Sequence, residues 1–155
     1  MVRVFPGQID ALKCFTDVTG TPLTQASVTF SFTISFVDIW DNLHYETLSD
    51  ELAAGMTVTV VADYVNHDNY PSPIGVADDP NWMTTYGVSI TGTATDNNDG
   101  TMTGSVTIYR AGTYILSIQV YGTNVIGSPH SFLEVEPATI DATKCQPIDV
   151  PTFMY

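Results

Sequence analysis

Val28-Thr29-Phe30-Ser31-Phe32-Thr33-Ile34-Ser35-Phe36 alternates apolar and hydroxyl side chains without a break. A helix would scatter these apolar groups around its circumference. An extended chain, with its two-residue period, gathers Val28, Phe30, Phe32, Ile34 and Phe36 on one face. The segment therefore needs a sheet with one buried side. Shorter runs repeat the demand at Met56–Val61, Tyr86–Ile90, Met102–Tyr109, Tyr114–Val120 and Phe132–Val135, each bounded by Gly, Asn, Asp or Pro. This spacing predicts an all-β sandwich of about seven strands and excludes a βαβ fold. Phe32, Ile34, Tyr114, Ile118 and Val120 are expected in its core. Only Thr47–Gly55 reads as helical, with hydroxyls to cap it, acids in its first turn and Gly55 to end it.

A second feature concerns organisation. Ile9-Asp10-Ala11-Leu12-Lys13-Cys14 recurs as Ile140-Asp141-Ala142-Thr143-Lys144-Cys145, with five of six residues identical at a spacing of 131. Self-similarity over such a period is a mark of tandem units. Residues 9–137 are accordingly read as one module, residues 1–8 as a leader or the end of a preceding segment, and residues 138–155 as the start of a following module or an assembly tail. The tail carries too little apolar surface to fold alone and is expected to need a host sheet.

Charge narrows the partners. Four Lys plus Arg against seventeen Asp plus Glu give a formal net charge of −13, which repels phosphate backbones and anionic membranes. No run approaches the roughly 20 apolar residues of a membrane span. Nucleic-acid binding and membrane insertion are not expected. Two cysteines without CxxC spacing make neither a zinc site nor a disulfide-dense scaffold. Cys14 and Cys145 are two buried thiols, or they are oxidised as a disulfide or as junction contacts between units.

The second half then becomes specific. Asp96-Asn97-Asn98-Asp99-Gly100-Thr101-Met102-Thr103 is a tight turn into a strand, Arg110-Ala111-Gly112-Thr113-Tyr114 leads into another, and Ile126-Gly127-Ser128-Pro129-His130-Ser131-Phe132 approaches the last. In order and spacing these resemble the filamin repeat, an immunoglobulin-like module with a D-G-T-Y turn, a P-G-x-Y turn and an I-x-G-S-P-F approach to its final strand. Phe32-Thr33-Ile34 with Asp38-Ile39-Trp40-Asp41-Asn42 resembles that family's second strand and D-x-x-G-N turn. The resemblance spans roughly residues 9–136. Three departures stand out: Met102 replaces an aromatic, Arg110-Ala111-Gly112 lacks the preceding proline, and His130-Ser131 intrudes before Phe132. The resemblance implies an immunoglobulin-like, filamin-type β-sandwich with a long insertion at about 43–86 and one short helix, because such modules run about a hundred residues.

Filamin modules take partner peptides by strand addition between their third and fourth strands, so the resemblance points to Val58, Val60, Val88 and Ile90 as pocket residues of a sheet edge. Alternation alone makes at least half of these four inward core. The inserted loop offers Tyr70 and Trp82 as a surface over that edge. Asp63, Asp68, Asp78 and Asp79 are candidate ligands for Ca2+, although nothing fixes their geometry and the Asp96–Gly100 turn lacks the EF-hand pattern. No cofactor is otherwise expected. His44, His67 and His130 stand apart from one another with no nucleophile in a recognised setting, so no enzyme is expected.

Two functions follow as expectations. The first is a non-enzymatic structural or adhesive module of an extracellular fibre or tandem-repeat surface protein, joined head to tail with copies of itself or adjacent repeats. The alternative is a cytoplasmic rod module that binds peptide strands of other proteins for actin crosslinking or scaffolding. The repeated cysteine, the scarcity of lysine and the long insertion favour the first.

Overall fold

In the computed structural model the described residues are 5–66 and 89–139. They form two packed β-sheets, an all-β immunoglobulin-like sandwich. One sheet has the order β1 (Phe15–Thr16), β3 (Thr29–Ser35), β7 (Thr101–Thr107), β6 (Thr93–Asp96). The other has the order β2 (Leu23–Gln25), β10 (His130–Glu136), β8 (Gly112–Val120), β4 (Val58–Asn66), β5 (Ser89–Thr91), and the two-residue β9 (Thr123–Asn124) also pairs with β8. All pairings are antiparallel except that of β2 with β10.

The alternating segment behaves as its pattern demands. Phe32, Ile34 and Phe36 are buried and Phe30 is half-buried against them, while Val28, before the strand begins, is exposed. Across the ladder Ile34 faces Met102 and Phe32 faces Gly104, so Met102 and Val106 line the same interior. The opposite wall comes from Val60 and Ala62 of β4, Tyr114, Leu116, Ile118 and Val120 of β8, and Leu133 and Val135 of β10. The five expected core residues are all buried.

Ten strands among the described residues replace the expected seven: two expected strands are each divided between the sheets, and the two-residue β9 is added beside β8. The first strand is divided into β1 in one sheet and β2 in the other. The fourth is divided at Gly92 into β5, paired with β4, and β6, paired with β7. A Cβ at Gly92 would lie 2.3 Å from the Ser105 carbonyl oxygen, so the sheet-to-sheet crossing passes too close for any side chain. The expected third strand is also longer, running to Asn66 and taking Asp63 out of the anticipated loop. Tyr109, expected in a strand, lies beyond the end of β7 and is 77% exposed. The extra His130-Ser131 is absorbed by an irregularity in the β8–β10 register between His130 and Leu133.

The helix α1 is a single short element, Ser49–Ala53; its N-cap residue, Leu48, supplies no capping side chain, and the Thr47 hydroxyl accepts the Ser49 N–H at 3.3 Å. The Asp96 carboxylate, at the end of β6, accepts hydrogen bonds from the Leu48 N–H at 2.9 Å and the Thr47 hydroxyl at 2.7 Å. Burial alone would raise the Asp96 pKa; hydrogen bonds from Thr47, Asn98 and Leu48 outweigh it and hold the group below its ordinary value. Gly55 closes the helix at φ +101°, as expected.

Candidate functional site

The duplicated motif has a defined task in its first copy, at the end of the sandwich where the chain leads in. Ile9 is buried and bridges to Asp38, and the Asp10 N–H donates to the Val37 carbonyl at 2.9 Å. The Asp10 carbonyl then receives the N–H groups of Lys13 and Cys14, closing a tight turn, and its side chain receives the Leu12 N–H. Ala11 packs against the core. Lys13 Nζ donates to the Ile39 carbonyl at 2.7 Å and pairs with Asp41 at 2.8 Å, clamping the 38–42 turn to the leading segment. The carboxylate of Asp41 raises the Lys13 pKa. Cys14 is fully buried, its thiol donates to the Asp10 carbonyl, and its own carbonyl receives the Ile126 N–H.

Asp38 completes this end. Its carboxylate accepts the N–H of Gly7 at 2.6 Å, of Trp40 and Asn42 at 2.8 Å each, and the Asn42 side-chain amide. Burial acts to raise its pKa, but these donors to the ionised form prevail and hold it well below the usual carboxylate range. His44, also buried, reaches the Gly7 carbonyl through Nε2 at 3.2 Å; because a carbonyl only accepts, Nε2 carries the proton. Its Nδ1 faces Glu51 at 3.8 Å. Gly100, at φ +81°, passes so close to the His44 backbone that a Cβ would lie 2.1 Å from its carbonyl carbon. Leading segment, 38–45 connection, helix and 96–100 turn are thereby locked together.

The residues singled out from the sequence fall differently. Cys14 is a free thiol in the core, with burial pushing its pKa up, so it presents nothing to a neighbouring unit. Cys145 lies outside the described residues. Of the proposed edge pockets, Val60 is 1% exposed and closed to any partner, and Val58 and Ile90 are half-buried against the same core. Packing across the sandwich explains this, since each faces inward in its register. Val88, Tyr70 and Trp82 lie outside the described residues.

Asp63 accepts a hydrogen bond from the Ser89 hydroxyl across the β4–β5 pair, and Asp68, Asp78 and Asp79 lie outside the described residues. Among the described residues no cluster of His, Cys, Asp or Glu is arranged to hold a metal ion. None of their helices is long and apolar enough to cross a membrane. His130, the first residue of β10, is buried, its Nε2 lacks a hydrogen-bond partner, and burial lowers its pKa.

Two features were not drawn from the sequence. The reach of Asp38 back to Gly7 had no local signal, because the partners are 31 residues apart. The role of Lys13 did have one: the only two lysines of the chain, Lys13 and Lys144, occupy the same place in the two copies.

No family model matches the chain, and no curated protein does. Among solved structures it is similar to the crystal structure of the Lin-41 filamin domain, with a TM-score of 0.53 and 15% identity over 84% of this chain and 98% of that one. At that identity the likeness concerns the fold alone, and it is clear there: this chain has the filamin-like immunoglobulin-type sandwich.

Proposed function

We propose that this chain is one unit of a head-to-tail array, a structural module of an extracellular fibre or tandem-repeat surface protein. The observation that carries the reading is the pattern of identity between the two motif copies. The five residues that recur at 140–145 are those that seal, turn or clamp the leading segment in the first copy. The one that differs, Leu12 against Thr143, is 68% exposed in the first copy. A match confined to working positions is expected when both copies begin a module.

The extracellular placement rests on the acidic composition and the scarcity of lysine, since a buried Cys14 thiol supplies no disulfide argument. Strand addition by a cytoplasmic rod module would need open pockets at the β4–β5 edge, where Val60 is buried in the core and Ile90 is half-buried against it. The test is a tandem chain in which residues 1–145 run directly into residues 15–155, so that the second motif opens the second unit. Both units fold under the proposal, and the urea m-value measured over the whole chain is about twice that of residues 1–155, because m follows the surface exposed on unfolding. A second unit that stays unfolded beside a folded first unit refutes it.

A further inference from the structure

The sandwich exposes a group of large apolar side chains at its leading end. Ile39, Trp40 and Leu43 are 46%, 73% and 56% exposed, all on the connection clamped by Lys13. Trp40 lies beside Gly7, on the segment through which the chain enters the module. Solvent-facing aromatic and branched residues grouped at one end mark a surface that something covers.

The repeat shows what does so. It extends backwards from the motif at two of the five preceding positions, Val135 and Pro137 standing at the same spacing from Val4 and Pro6. In the structure Val135 and Glu136 are the last residues of β10, and only Pro137, Ala138 and Thr139 separate them from the second motif. Three residues span at most about 11 Å. Consecutive modules joined by so short a link must abut end against end. The trailing end offers matching chemistry: the Glu136 carbonyl receives the Ala26 N–H and the Ile108 carbonyl the Ser27 N–H, which places Val28, 50% exposed, and Tyr109, 77% exposed, beside the exit of the chain.

Resting on the array reading, we propose that Ile39, Trp40 and Leu43 seat the trailing end of the preceding module, a second copy of this fold, and that Tyr109 and Val28 of that copy close over them. The junction is then an apolar contact that stiffens the array, with the three-residue link holding it in register. Both cysteines are excluded from it, since the motif cysteine is sealed inside each module.

The tandem chain of residues 1–145 followed by 15–155 tests this by 15N relaxation and small-angle X-ray scattering, with Trp40→Ser and Leu43→Ser introduced together in the second unit. A parallel variant carries Tyr109→Ser in the first unit. The unaltered tandem is expected to tumble as one elongated body. Either variant is expected to reduce the correlation time to that of single modules and broaden the distance distribution, with both units still folded. Two folded units that tumble independently in the unaltered tandem overturn the junction and leave the array reading intact. Rigid tumbling that survives both variants also overturns it. A second unit that fails to fold overturns the array reading itself, and the junction with it.

Discussion

Replacing Phe32 and Gly104, singly and together, probes the register on which the core depends. Phe32 faces Gly104 across the β3–β7 ladder, and a Cβ built at Gly104 lies 2.4 Å and 2.5 Å from Cε2 and Cζ of the Phe32 ring. Carbon atoms pack at about 3.5–4.0 Å, so Gly104→Ala forces the ring or the strands aside, at a cost of about 1–3 kcal/mol. Phe32 is 5% exposed, and Phe32→Ala removes its contacts and leaves a cavity, costing about 3–5 kcal/mol. In the Phe32→Ala background the obstructing ring is gone. Alanine at 104 then restricts the unfolded chain more than glycine does and should be neutral or stabilise by up to about 1 kcal/mol. The coupling energy is therefore expected at about 1–4 kcal/mol in favour of the double variant. Urea unfolding followed by circular dichroism measures it, with Phe32→Val in place of Phe32→Ala if no folded baseline survives. Additivity within about 0.5 kcal/mol would show that the ring does not lie over Gly104 and that the β3–β7 register is wrong.

Other outcomes follow from the leading end and the buried tyrosine. Leu12→Thr, which writes the second motif into the first position, should change stability by no more than about 0.5 kcal/mol in denaturant unfolding, because the site is exposed. Gly100→Ala meets both a positive φ and the His44 backbone, and should cost at least about 2–4 kcal/mol by the same assay. The depressed pKa of Asp38 contributes stability that is fully present above the ordinary value of 3.8 and lost as pH falls through the lower folded value; Asp38→Asn should flatten that acid limb in unfolding measured from pH 6 to pH 2. Burial raises the Tyr114 pKa to about 12, so its stabilising effect is intact below pH 10 and lost as pH rises toward 12. Ultraviolet titration should show one tyrosine ionising last, and Tyr114→Phe should remove that step.

Legibility in the sequence followed side-chain size. Strands β3 and β8 announce themselves because large apolar residues alternate along them, β7 does so through Met102 and Val106 on either side of Gly104, and the sandwich class follows from their spacing. Strand β6 is Thr-Ala-Thr-Asp, whose only apolar residue is an alanine, and no pattern reveals it. Asp63 reads as the start of the long loop, yet β4 continues through it to Asn66 and its carboxylate takes the Ser89 hydroxyl. Of the four pocket residues at the sheet edge, alternation makes at least half inward core; Val60 is buried there, Val58 and Ile90 pack partly against it, and Val88 lies outside the described residues. Repetition at 131 residues was visible at once. Its meaning was not, because only the contacts separate the five positions that work from the one that does not.

Thiol protection tests the central claim most directly. In a tandem chain of residues 1–145 followed by residues 15–139, the only cysteines are Cys14 and Cys145, and the array account places both in sealed module cores. A thiol reagent added under native conditions should then label neither, and label both once urea unfolds the chain. Rapid labelling of Cys145 in the native protein, with Cys14 still protected, would mean that the second motif does not open a module, and the account of this chain as one unit of an array would be contradicted.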